Sequence, residues 1–206
     1  MNLAYDNFKR FAFLPGSDYI ASENALRAIL QIIDDFKIKS ILELGMGIGS
    51  IADTVLKHMP EIYYTGTEAN EFCLDALPDN VEDYNKVNLF NSLNDIKDGR
   101  QYDLIIIDGS DASLQQITRF SHENTIFFVE GFRGEQVKLL RKIFTDSLHV
   151  EIISNKKNRE YGPFPSDRWM GGAQLIFINP TFYKRFYWFK EKVRSFIIRR
   201  TRKDSK

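Results

Sequence analysis

The sequence predicts an α/β domain on a doubly wound, mostly parallel sheet of seven strands, with an N-terminal helix before it and a basic amphipathic helix after it. Three observations carry this expectation. Short apolar runs alternate with stretches of helical period or length along residues 17–180. The first run ends in a glycine-rich turn directly before a helix. The 206 residues, 43% hydrophobic with one cysteine, suffice for a single core without an intrachain disulfide.

From Ser17 to Lys39, Ala25, Leu26, Ile29, Ile33 and Phe36 recur near one helical face, with Ser17 or Asp18 as candidate cap. Ser40 to Gly45 breaks that period with a short apolar run, as for a buried parallel strand. Ser50 to His58 returns to helix and stops before Pro60. Further strands are expected over Ile62–Thr67, Tyr84–Asn88, Tyr102–Asp108, Thr125–Glu130, His149–Ser154 and Ala173–Asn179. Leu114–Phe120 and Gly134–Thr145 supply intervening helices. Asn155–Trp169 is polar, broken by Gly162, Pro163 and Pro165, and reads as a long loop of the kind that often carries function. Residues 1–180 are expected to form one domain and residues 181–206 an appended helix and tail. Cys73 reads as a small buried hydrophobe in a reducing compartment. The first ten residues hold no apolar run of signal-peptide length, and none elsewhere approaches the roughly 18 residues of a membrane span, so a cytoplasmic location is expected.

The 28 basic and 28 acidic side chains cancel, but unevenly. Thr181–Lys206 holds ten basic residues against Glu191 and Asp204, giving +8 there and −8 over residues 1–180. In that segment Phe182, Phe186, Phe189, Val193, Phe196 and Ile197 recur at helical spacing among Lys184, Arg185, Lys192, Arg194, Arg199, Arg200, Arg202 and Lys203. Such a helix suits an anionic membrane surface, or packs on its own domain or on a second subunit of a homo-oligomer. The acidic remainder argues against nucleic acid.

Glu43-Leu-Gly45-Met46-Gly47-Ile-Gly49 lies between a strand and a helix, where glycines allow a sharp turn and close backbone approach to a nucleotide-like ligand. A dinucleotide fingerprint would need glycine at position 50, where Ser50 stands, and Glu43 would repel a pyrophosphate. A carboxylate there favours a ligand with a cationic end or free hydroxyls. Glu68, at the end of the second strand, is placed to accept hydrogen bonds from ribose hydroxyls. On these residues the chain resembles the class I S-adenosylmethionine-dependent methyltransferases over about residues 17–179. The resemblance implies a Rossmann-like methyltransferase fold and S-adenosylmethionine as cofactor. It also implies a pocket for the amino acid part shaped by Glu43, Gly45, Met46, Gly47 and Gly49, with Glu68 on the ribose and Asn91, or neighbouring Asn88, at the adenine.

Tyr102–Asp111 brings carboxylates to the carboxyl end of a buried strand, the ligand edge of an open α/β sheet. The run resembles small-molecule and sugar O-methyltransferases that read Asp-Gly-Ser-His, with Asp111 here in place of the histidine. Asp108 and Asp111 are the candidate catalytic residues, Asp108 also meeting the cofactor. Asp111 is a base for a hydroxyl acceptor or, on the plainer reading, a helix cap. With Glu130, the two aspartates would be oxygen ligands for Mg²⁺ if a metal is used. Glu130 and Arg133, with Tyr161, Phe164, Arg168 and Trp169 of the long loop, are candidates to bind a small-molecule or glycan acceptor; on the plainer reading the loop packs on its own aromatics. His58 and His149 read as structural, and His122 as a solvated loop residue. Two other readings stay open: an enzyme similar to spermidine-synthase-like aminopropyltransferases, which usually carry an N-terminal β-strand domain, and a non-catalytic binding module recruiting partners through the basic tail.

Overall fold

In the computed structural model, which describes residues 2–109 and 112–203, seven strands form one sheet: β1 (Ser40–Leu44), β2 (Tyr63–Thr67), β3 (Val87–Phe90), β4 (Tyr102–Ile107), β5 (Ser121–Glu130), β6 (Leu148–Ile152) and β7 (Ala173–Phe177). Their spatial order is β3-β2-β1-β4-β5-β7-β6. The first five pair in parallel, whereas β7 runs antiparallel between β5 and β6, so the sheet is mixed. No helix separates β6 from β7, and without a crossover a returning strand pairs antiparallel.

Alternation along the central strands feeds two cores. Ile41, Leu104, Ile106 and Phe128 face α1 (Leu3–Ala12), α2 (Glu23–Phe36) and α3 (Ser50–His58) through Phe8, Phe11, Ile29, Ile33 and Ile51. Leu42, Leu44, Ile105, Ile107 and Phe127 face Ile117, Phe120 and Leu140, the last on α5 (Gly134–Ile143). Apolar side chains on both faces explain why these runs read as continuous rather than alternating. The remaining helices are α4 (Glu71–Asn80) and α6 (Phe182–Lys203).

Four local expectations are corrected. The helix expected from Ser17 begins at Glu23, capped by the Ser22 hydroxyl, which accepts from Ala25 N at 3.2 Å; Ser17–Tyr19 forms only a 3₁₀ turn after left-handed Gly16. An unanticipated helix, α1, precedes it, capped by Asn2, its Phe8 and Phe11 buried. Tyr84–Lys86 is a 3₁₀ turn, and β3 starts at Val87. Leu114–Phe120 is also 3₁₀. The described residues before β1 are therefore helical.

Helix α6 runs alongside β6: Trp188 Nε1 donates to the His149 carbonyl at 2.8 Å and Ser195 Oγ to the Glu151 carbonyl at 2.6 Å. Among the described residues, no helix is long and apolar enough to cross a membrane.

Candidate functional site

A cavity of about 660 Å³ opens at the carboxyl ends of β1, β2, β4 and β5. The strand order reverses beside β1, and the chain leaves β1 and β4 toward opposite faces there, which opens the crevice where ligands bind in such sheets. Its size is in the range of small-molecule sites, roughly 300–1,000 Å³.

Gly45, Gly47, Glu68, Asn91, Asp108, Glu130 and Arg133 line this cavity. At Gly45 (φ 82°) a Cβ would sit 2.5 Å from the Gly109 Cα, and at Gly47 (φ 54°) 2.2 Å from the Tyr19 carbonyl oxygen. Both glycines are thus required by chain crossing and left-handed backbone, a packing reason where the sequence pointed to ligand approach. Gly49 does not line the cavity; it is the left-handed residue that starts α3. Met46 lies beneath the loop, its thioether against Gly66.

Glu68 is held by three backbone donors. Its Oε2 accepts from Gly47 N at 2.7 Å, and its Oε1 from Ala69 N and Asn70 N, each at 2.9 Å. The carboxylate therefore joins the glycine loop to the β2–α4 turn. Glu43 lies under this assembly, not on the cavity wall. Strand alternation turns it toward the α2–α3 face, in register with Gly66 and Ile106, and its Oε2 accepts from the Tyr64 hydroxyl. Its Oε1 is buried without a hydrogen-bond partner. Burial raises the Glu43 pKa well above the usual carboxylate range against the lowering effect of the Tyr64 hydrogen bond, and Asp108 and Glu68 raise it further. The two adenine candidates separate: Asn88 Nδ2 donates to the Tyr64 carbonyl at 3.0 Å, while Asn91 lines the cavity.

On the opposite wall Arg133 Nη2 donates to Asp108 Oδ1 at 3.0 Å and to the Asp108 carbonyl, and its Nε to the Glu130 carbonyl at 3.1 Å. Asp108 and Glu130 share a hydrogen bond, so they titrate as a pair. Burial pushes both upward, and the Asp108 charge pushes Glu130 further while Arg133 pulls both down. Two carboxyls beside one guanidinium hold a proton most readily on Glu130.

Asp111 lies outside the described residues. Among those described, no three His, Cys, Asp or Glu side chains converge as metal ligands, and the Arg133 guanidinium sits where a cation on Asp108 would. The Mg²⁺ set of Asp108, Asp111 and Glu130 therefore gains no support from the described residues. The acceptor candidates on the long loop are not all gathered into the cavity. Tyr161 stacks on Phe13 at 5.8 Å, Arg168 is exposed, and Trp169 lies under the Arg202 guanidinium at 4.8 Å. Phe164 is the loop residue that reaches the wall. His122 lies 3.1 Å from Asp103, at the start of β4, the strand end opposite Asp108. His58 meets Asp34 at 2.8 Å and His149 meets Gln174 at 3.0 Å, both away from the cavity wall.

Sequence reasoning missed Asp18, Tyr19, Ile20, Asn70, Cys73, Ser92 and Ser113 on the wall. The signal available for the first three was Pro15-Gly16, a break that separates Ser17–Tyr19 from any helix. Burial and the nearby Glu68 push the Cys73 thiol up to about 11, so the neutral thiol prevails.

No protein-family profile and no curated protein sequence matches the chain. Solved structures match its fold. The O-methyltransferase TomG from Streptomyces achromogenes, in complex with S-adenosylmethionine, aligns at a TM-score of 0.61 and 11% identity, covering 84% of this chain and 89% of that one. An O-methyltransferase from Bacillus cereus in complex with S-adenosylhomocysteine aligns at 0.58 and 14% identity, covering 86% and 91%. Precorrin-6y C5,15-methyltransferase from Geobacter metallireducens aligns at 0.51 and 18% identity, covering 73% and 85%. The chain therefore has the fold of the class I S-adenosylmethionine-dependent methyltransferases.

Proposed function

We propose that this protein is an S-adenosylmethionine-dependent methyltransferase acting on a hydroxyl of a small molecule or glycan intermediate. The observation that carries this reading is the joining of Glu68 to the glycine loop on the wall of a cavity beside Asp108 and Glu130, within a methyltransferase fold. The residues suit the cofactor. Glu68 accepts the ribose hydroxyls, Asn91 meets the adenine edge, and the Gly45–Gly47 backbone borders the amino acid part. Glu43 lies beneath that loop, off the cavity wall, and bonds to Tyr64 rather than facing the ligand space.

S-adenosylmethionine, when bound, supplies a methyl group on a sulfonium for in-line displacement. The protein's part is to orient the acceptor and manage its proton. Arg133 fixes Asp108, and the Asp108–Glu130 pair takes the hydroxyl proton, each carboxylate a stronger base for its raised pKa. Phe164 closes the acceptor side. Helix α6 takes no part in the chemistry and serves to place the enzyme, at an anionic membrane face of the cytoplasm.

The test is methyl transfer from labelled cofactor into hydroxylated small molecules and glycans, with the product identified by mass spectrometry. Transfer lost in Asp108→Asn is the expected result. Absence of S-adenosylhomocysteine binding by isothermal titration would refute the reading outright.

A further inference from the structure

Helix α6 is mounted with its more apolar face outward. The buried stripe turned toward the domain is Lys184, Tyr187, Glu191, Ser195 and Ile198, three of them polar, with half-buried Trp188 beside it against β6. Their needs are met internally: Lys184 Nζ donates to the Asn124 carbonyl at 2.8 Å, Ser195 to Glu151, and Glu191 pairs with Arg194 at 3.2 Å. The outward stripe is Phe182, Phe186, Phe189, Val193, Phe196 and Ile197, with Phe182 87% and Phe186 61% exposed. At 3.6 residues per turn these six fall within an arc of about 100°. A soluble helix normally does the reverse, and a contiguous exposed row of aromatics marks a surface that something covers.

The flanking charge identifies what covers it. Arg185, Lys192 and Arg199 border one side of the row, Lys190 and Arg194 the other, and Arg200 stacks over Phe196 at 4.6 Å within it. A second copy of α6 would bring two such cationic borders together, an arrangement opposed by like-charge repulsion. An anionic interface is complemented by them: long basic side chains reach phosphates at the headgroup level while the rings enter the acyl boundary. The helix is also braced against the domain at its far end, where Arg202 donates to the Ser154 carbonyl and stacks on Trp169, so it keeps this presentation without folding on contact.

We infer that the Phe182–Ile197 stripe of α6, bordered by Arg185, Lys190, Lys192, Arg194 and Arg199, is a docking surface for an anionic lipid bilayer. The surface is independent of the cavity and of the methyl-transfer reading. Flotation of the full chain with phosphatidylcholine vesicles, alone or containing phosphatidylglycerol, tests it. Binding is expected only with the anionic lipid and is expected to weaken with salt. Lys192→Ala with Arg200→Ala should lower partitioning about 30-fold, about fivefold per charge. Phe186→Ser, Phe189→Ser and Phe196→Ser together should abolish it. These exposed positions leave the thermal transition unchanged, which separates lost docking from lost folding. Equal binding to neutral vesicles, binding retained by the triple variant, or a vesicle-inert dimer that the triple variant dissociates would overturn the inference.

Discussion

Glu68→Gln is nearly isosteric and tests whether one carboxylate both braces the loop and holds the cofactor. The native side chain offers two oxygens to three N–H donors: Gly47 at 2.7 Å on Oε2, and Ala69 and Asn70 at 2.9 Å on Oε1. An amide keeps one acceptor. Whichever way it turns, its NH₂ faces at least one backbone donor, and the best orientation keeps Ala69 and Asn70 and gives up Gly47. A hydrogen bond to a charged group contributes about 1.5–3 kcal/mol. Glu68 is half-buried, so water compensates in part, and the loss should be about 2 kcal/mol. For a domain of this size that lowers Tm by about 4–8 °C. Ribose hydroxyls would then donate to a neutral acceptor, costing a further 1.5 kcal/mol or so and raising the S-adenosylhomocysteine Kd roughly tenfold. Urea denaturation measures the first effect and isothermal titration the second. A destabilised variant with unchanged affinity would leave Glu68 as a brace alone and refute its cofactor role. A variant unchanged in both would refute the hydrogen-bond argument itself.

Gly47→Ala must place a Cβ 2.2 Å from the Tyr19 carbonyl oxygen in left-handed backbone, so the loop has to shift. The backbone conformation alone costs about 1 kcal/mol, and differential scanning calorimetry should show a lower Tm together with weaker cofactor binding. The Asp108–Glu130 pair retains a proton in the folded state that the unfolded chain releases. That contribution is fully present below the ordinary carboxylate pKa, 4.5 for Glu130, and is lost as pH rises through the raised folded value. Glu130→Gln, which mimics the protonated form, should flatten the alkaline decline in the urea midpoint relative to the parent and remove the rise of kcat with pH; an unchanged pH profile for both would sink the proton-accepting role. Arg159 donates to the buried Glu23 at 2.8 Å and tethers the loop carrying Phe164. Because Arg159 is about one-third exposed and Arg27 remains on Glu23 at 2.5 Å, Arg159→Ala should cost at most about 1 kcal/mol, yet raise the acceptor KM more than it changes kcat.

The sheet was legible because its strands are buried on both faces. Polar residues do not alternate with apolar ones in Leu104-Ile-Ile-Ile107, and such apolar density fits only a strand sandwiched between helix layers. Helix α1 leaves little trace in the sequence because its apolar set is small, Ala4, Phe8 and Phe11, and its buried Asn7 is satisfied only in three dimensions, donating to Thr54 at 2.6 Å. The antiparallel β7 did leave a signal that the expectation of a mostly parallel sheet passed over: the connection from β6 to β7 reads as a loop with no crossover helix. At the site, Glu68 and Asp108 were readable because strand ends in this fold face one crevice. The glycines answer to packing as well as to the ligand approach that the sequence suggested: Gly45 meets Gly109 and Gly47 meets Tyr19, contacts across 64 and 28 positions of sequence. Of the loop side chains, Phe164 reaches the cavity wall, while Tyr161 and Trp169 pack against Phe13 and Arg202, partners that composition does not reveal.

Helix α6 shows what an amphipathic pattern does and does not specify. Period alone places Phe182, Phe186, Phe189, Val193 and Phe196 on one face; it is silent on whether that face meets the sheet. The orientation is decided by partners on β5 and β6. The Asn124 and Glu151 carbonyls accept from Lys184 and Ser195, and the Trp188 indole N–H requires the His149 carbonyl, so rotating the helix to bury the phenylalanines would strand those polar groups. The hydrogen-bonding stripe thereby fixes the helix and the apolar stripe is left outward among basic residues. The neutral total charge follows from this division: the acidic part surrounds the cavity-bearing domain, and the basic part borders an apolar surface that the domain does not cover.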